Sequence, residues 1–240
     1  MIRLLLIFAS LLRLLPPGSA ADPLPCSPRT CGNLSIAYPF WLEEDGQPPC
    51  GAPSFQLNCN ASQALLSRSM FGSYQVVQVF AENSSFVAVD NNLPLDDGCP
   101  KFWFNISLGL GLSPFVVSNK NRELLVLHNC SKQVMPPGFN RTRCANESFY
   151  RLGGVYGSHR ELAGLPPACS LSVVPVLGFP DGNSYVSSMR QGFLLEWTLS
   201  DECPKCEASG GQCRYANAGT GFSCNCSDGV RPDKCGESRK

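Results

Sequence analysis

The chain has 240 residues, with 19 basic and 19 acidic side chains, only 16% charged residues in all, and 14 cysteines. A formal charge of zero excludes nonspecific nucleic-acid binding, which needs a basic excess to displace counterions from phosphates. The cysteine density excludes an ordinary cytosolic enzyme, whose thiols stay reduced and sparse, and 43% hydrophobic residues exclude a disordered chain.

Met1-Ile2-Arg3 is a short basic start, Leu4 to Leu15 is an apolar run broken only by Ser10 and Arg13, and Pro16-Pro17-Gly18 stops any helix. Ser19-Ala20-Ala21 then supplies small residues, so 1–20 is expected to be a secretory signal peptide cleaved after Ala20 or Ala21. No later segment is a continuous apolar run long enough to span a bilayer, and 235–240 is polar. As written, the chain is expected to be secreted into the extracellular space with no membrane span.

The cysteines divide at Pro136-Pro137-Gly138, a breaker cluster that reads as a linker. Cys26, Cys31, Cys50, Cys59, Cys99 and Cys130 precede it; Cys144, Cys169, Cys203, Cys206, Cys213, Cys224, Cys226 and Cys235 follow. Both counts are even, so each half is expected to close its own disulfides, with the connectivity left open. The expected organisation is two small disulfide-rich domains, at 22–135 and 139–238.

Period-two alternation predicts strands at 74–81, 85–90, 101–108, 124–128, 171–176 and 193–199. In 101–108 the set Phe102, Phe104, Ile106 and Leu108 shares one face, and Trp103 and Asn105 share the other. No long segment of period 3.6 follows the signal peptide, so the fold class is mainly β. The last cysteines, 203–235, follow C-x2-C-x6-C-x10-C-x-C-x8-C. A four-thiolate zinc site at Cys203, Cys206, Cys224 and Cys226 is the rival to disulfides there, and export disfavours it because thiols oxidise first.

Eight Asn-x-Ser/Thr sequons occur in the mature part, several times the chance rate. Asn33, Asn60, Asn83, Asn105, Asn140 and Asn146 are expected to carry glycans. Asn129 and Asn225 have Cys130 and Cys226 at the middle position and are expected to be poorly occupied.

From 101 to 160 there are eight basic residues (among them Arg141, Arg143 and Arg151) against two acidic ones; from 22 to 100 there are two basic against eight acidic. A cationic face pairs with carboxylates, and Arg does so bidentately, although ordinary solvated charges read the same way. Trp41 and Trp103 are the candidates for stacking on sugar rings, whereas Tyr38, Phe40 and Trp197 read as core. Glu43-Glu44-Asp45 beside Gly46 reads as a solvated turn with calcium as the sharper alternative. There is no His-Glu-x-x-His, no Gly-x-Ser-x-Gly and no phosphate loop, and only His128 and His159 could serve a triad. A two-carboxylate glycosidase leaves no local signature. The expectation is no enzyme and no cofactor.

Cys31-Gly-Asn-Leu-Ser-Ile-Ala-Tyr-Pro-Phe-Trp41, Pro49-Cys50-Gly51, Phe55-Gln-Leu-Asn-Cys59, Tyr74-Gln-Val-Val and Cys99-Pro100 together resemble the galacturonan-binding domain of plant wall-associated receptor kinases. Gly192-Phe193-Leu194-Leu195-Glu196-Trp197, Ser209-Gly210-Gly211 before Cys213, and Phe222-x-Cys224-x-Cys226-x-Asp228-Gly229 are similar to the C-terminal domain of leaf-rust-type receptor-like kinases. The family carries Gly where this chain has Arg214. The closing cysteines resemble an epidermal-growth-factor-like (EGF-like) module, which implies the pairs Cys203–Cys213, Cys206–Cys224 and Cys226–Cys235. The resemblance implies a pectic polysaccharide (polygalacturonate) as ligand, with a protein or peptide partner as the alternative.

Overall fold

The structure, a computed structural model, describes residues 26–43, 49–67, 74–91, 93, 110, 113–131, 135–144, 148–158, 169–179, 184–198, 202–216 and 221–236. The expected signal peptide, the strand at 101–108 with Trp103 and Asn105, and Glu44, Asp45, Cys99, Asn146 and His159 lie outside the described residues.

A hairpin of β1 (Arg29–Cys31) and β2 (Leu34–Ile36) opens the described chain. A seven-stranded sheet follows, from β3 (Trp41–Leu42), β4 (Gln56–Asn60), β5 (Gln63–Leu66), β6 (Tyr74–Phe80), β7 (Ser85–Asp90), β8 (Phe115–Val117) and β13 (Phe193–Trp197), in the order β3-β4-β5-β6-β7-β13-β8. Among the described strands only the β3–β4 pair is parallel. A four-stranded sheet orders β10 (Asn140–Arg141), β11 (Phe149–Val155), β9 (Arg122–His128) and β12 (Ser170–Val176) as β10-β11-β9-β12. Helix α1 (Tyr185–Arg190), capped by the Ser184 hydroxyl accepting from Ser187 N–H, leads into β13. Helix α2 (Glu202–Ala208) and the strands β14 (Gln212–Ala216), β15 (Gly221–Cys226) and β16 (Gly229–Arg231) form the C-terminal module.

The alternation read from the sequence places the core. Phe193, Leu195 and Trp197 are buried on β13, and Leu194 and Glu196 between them are only half-buried. β7 is buried along most of its length because it lies between β6 and β13. Phe40, Phe55, Phe86, Phe115 and Trp197 form an aromatic cluster, with Phe40 5.1 Å from Phe55 and 5.5 Å from Trp197 between ring centroids. Leu124, Val126, Val174 and Val176 bring one face of the four-stranded sheet onto the same core. Fully buried Asn121 joins the two sheets: its amide donates to Leu194 O (2.7 Å) and Ser118 O (2.8 Å), and its carbonyl accepts from Leu194 N–H (2.8 Å). Gly192, at φ +78°, sits against the Ala88 carbonyl, where any Cβ would clash as β13 enters beside β7.

Two expectations require correction. Cys130–Cys169 crosses the Pro136-Pro137-Gly138 break, so the halves do not close their bridges separately. The break itself is a turn rather than a linker: Phe139 N–H donates to Pro136 O, and Phe139 is buried with Leu125, Leu127 and Phe149 on the outer face of the four-stranded sheet. The bridges Cys26–Cys50 and Cys31–Cys59 staple the β1–β2 hairpin region to the chain around β4, and Cys144 is also disulfide-bonded. The C-terminal module has the pairs Cys203–Cys213, Cys206–Cys224 and Cys226–Cys235, as the EGF-like resemblance implies. Those sulfurs are therefore not thiolates, and the zinc alternative falls.

Candidate functional site

The β1–β2 hairpin, the stretch 36–42 and the Cys26–Cys50 bridge enclose a shallow groove lined by Arg29, Ile36, Tyr38, Phe40 and Trp41. Its volume of about 30 Å³ is far below the hundreds of Å³ that enclose a small-molecule ligand. That is room for about one or two water molecules, so the groove encloses no ligand of its own.

Trp41 is held in one orientation. Its indole N–H donates to Ala52 O at 3.0 Å. Gly51 lies so near that an added Cβ would stand 2.6 Å from indole Cδ1 and closer still to Pro39 O. A half-buried indole fixed by backbone on one side loses little entropy on meeting a ligand. Tyr38 is also half-buried, and its ring meets Phe222 edge-on at 6.4 Å. Burial, with Tyr215, Glu202 and Glu207 nearby, pushes the Tyr38 phenol up to about 12, so it stays a neutral donor. Phe40, expected in the core, is there.

The arginines read from the sequence lie elsewhere and do not line this groove. Arg141 and Arg151 share the outer face of the four-stranded sheet, because Arg141 is the register partner of Phe149 and Arg151 stands two residues beyond it. The Arg141 guanidinium lies 5.8 Å from the Phe149 ring centroid and is exposed; that of half-buried Arg151 lies 4.7 Å from the Phe139 centroid. Arg143 is exposed, and its backbone N–H donates to the Tyr185 hydroxyl at 3.4 Å. The structure thus brings Arg141 and Arg151 together over an aromatic pair and keeps them apart from Trp41.

His128 Nε2 is 3.0 Å from Ser172 Oγ across β9 and β12, and burial holds its imidazole below the ordinary value. Among the described residues, the clusters with metal-ligating atoms are Cys224, Cys226 and Cys235, and Cys203, Glu207 and Cys213, whose sulfurs are all in disulfides. Asn33, Asn60, Asn83, Asn129 and Asn140 are exposed, while Asn225 is half-buried on β15.

Residues 26–90 match the family model described as wall-associated receptor kinase galacturonan-binding, and residues 129–229 match wall-associated receptor kinase C-terminal. The chain carries this wall-associated receptor kinase domain pair, in that order. Among curated proteins of Arabidopsis thaliana, it is 31% identical over 219 residues to leaf rust 10 disease-resistance locus receptor-like protein kinase-like 1.2, covering 86% of this chain and 33% of the relative. It is 23% identical over 228 residues to kinase-like 2.8 (86% of this chain, 24% of the relative) and 25% identical over 223 residues to kinase-like 1.3 (88% and 30%). The chain spans a third or less of the length of these relatives. No solved structure matches. No helix among the described residues is long and apolar enough to cross a membrane.

The groove belongs wholly to the galacturonan-binding domain, whereas Arg141, Arg143 and Arg151 belong to the C-terminal domain. The two domains nonetheless share the aromatic core, because Trp197 packs on Phe40 and β13 completes the sheet begun by β3 to β7. Arg29 is the groove residue that sequence reasoning missed. Its only signal was its position two residues before Cys31, next to the motif that carries the resemblance.

Proposed function

We propose that the protein binds pectic polysaccharide of the polygalacturonate type, without cutting it, through the groove of the galacturonan-binding domain. The observation that carries this reading is a cation and a fixed indole in one shallow groove, Arg29 with Trp41, inside the region matched to galacturonan binding. A guanidinium takes a uronate carboxylate in a forked pair, and the indole face takes the apolar face of a sugar ring. Arg141 and Arg143, both exposed, add long-range attraction for the same polyanion. The protein acts as a secreted, glycosylated extracellular component of the plant cell wall, with glycans at Asn33, Asn60, Asn83, Asn105, Asn140 and Asn146.

The test is binding of the purified chain to oligogalacturonides and to their fully methyl-esterified forms over a salt series. Binding lost on esterification, weakened by salt and abolished in Trp41→Ala and Arg29→Ala supports the reading. Equal binding of both polymers, or none from folded protein, overturns it, and shortening of the oligomers on incubation overturns the non-catalytic part.

A second reading has one observation of its own. Among the described strands β8 is the outer one of the seven-stranded sheet, and it carries Val116 at 58% exposure, a place where an extended peptide can add as a further strand. A salt-insensitive protein partner lost on Val116→Lys would favour it.

A further inference from the structure

Tyr38 is the one groove-lining side chain that also packs on the disulfide cluster of the C-terminal module. It lies between β2 and β3 with its ring nearly perpendicular to that of Phe222 of β15, and its phenol lies near Glu202 and Glu207 of α2 and Tyr215 of β14. The floor beneath Phe222 is rigid: Cys206, Cys213, Cys224 and Cys226 are buried there, and Gly211 sits so close to the Cys224 and Cys206 sulfurs that no other residue fits. One wall of the groove is thus supported by a module that begins more than 160 residues further along the chain.

We propose that the C-terminal module is part of the sugar-binding unit, with Phe222 a positioning residue that sets Tyr38 against the ligand. The inference rests on the reading of this groove as the uronate seat. A ring lying across Arg29 and Trp41 reaches the Tyr38 wall and presses it on Phe222; a Tyr38 already held there loses less freedom on binding. Linkage makes the effect reciprocal, so the occupied groove holds the module more firmly in place.

The experiment uses the full chain, with tetragalacturonate as probe in titration calorimetry and in amide hydrogen exchange of residues 202–216. Phe222→Ala, which leaves the groove lining intact, is expected to weaken binding about tenfold, a size typical of coupling between sites. The smaller change Phe222→Leu should weaken it about threefold, and it replaces Phe222→Ala as the deciding variant if the alanine form misfolds. Saturating probe should slow exchange across 202–216 in the wild type and less so in the variant. Wild-type affinity in the folded variant, with Trp41→Ala weak, overturns the linkage and leaves the groove reading standing. Strong binding that survives Trp41→Ala and Arg29→Ala places the seat elsewhere and overturns both.

Discussion

In the main core, Phe40, Phe55, Phe86, Phe115 and Trp197 meet with ring centroids 4.9 to 6.3 Å apart, between two sheets that each bury a face. In the C-terminal module the buried residues of the cluster are Cys206, Cys213, Cys224 and Cys226, with Tyr38 and Phe222 at its margin. The difference follows from size. A long chain segment can remove enough apolar area from water to fold around side chains, whereas a module of some tens of residues cannot and is held by constraint of its unfolded state. The two regions should therefore fail in different ways.

Truncation of the core should have the largest effect. Phe55→Ala removes a fully buried ring that touches Phe40, Phe115 and Trp197, and is expected to cost about 3–5 kcal/mol in a single transition seen by chemical denaturation. Replacing Cys206 and Cys224 together by Ser should cost about 2–4 kcal/mol and open the region of α2 to β16 to protease, with the aromatic core intact by near-ultraviolet circular dichroism. Loss of the core in that variant would show that the two regions form one cooperative unit, and the comparison would break.

Smaller changes sharpen it. Arg151→Met keeps the stem over Phe139 and deletes the guanidinium, so a stability loss of about 0.5–1 kcal/mol is expected with oligogalacturonide affinity unchanged. Weakened binding there would return the seat to the outer sheet face. The smallest effect concerns acid. The Ser118 hydroxyl (2.8 Å) and the Lys120 ammonium (3.2 Å) hold the Glu196 carboxyl below its ordinary value of 4.5. A carboxylate depressed on folding contributes stability above its unfolded value, and that contribution fades as pH falls through the folded value. Glu196→Gln should therefore show a shallower fall in melting temperature than the wild type on acidification below pH 4.5.

Much of the fold was legible where one face of a strand is buried and the other is not. The alternation at 74–81, 85–90 and 193–199 corresponds to β6, β7 and β13, and the runs at 124–128 and 171–176 to β9 and β12. β11 escaped because Gly153-Gly154 sits in its pattern where the register shifts, and a bulge breaks period two. Pairing across the middle of the chain escaped for another reason: periodicity identifies a buried face and not the face that covers it. Nothing in the spacing of Cys130 and Cys169 marks them as partners across a breaker cluster. At the candidate site, Trp41 was legible as an aromatic beside a cysteine motif. Its clamp by Gly51 and Ala52, and the double attachment of Tyr38, depend on contacts that only the folded chain creates.

The insertion of β13 between β7 and β8 sets a schedule for synthesis. When residue 117 leaves the ribosome, β8 still lacks β13, the strand it pairs with among the described residues. β7 likewise waits with one side of its ladder open, for the time needed to add the residues up to 197. At about 5–20 residues per second that delay is of the order of several seconds, during which a buried-type strand is exposed to other nascent chains. Chaperone occupancy of nascent chains should peak in this interval and fall once Trp197 has emerged, and any transcript ending before it would yield a sheet with an open edge.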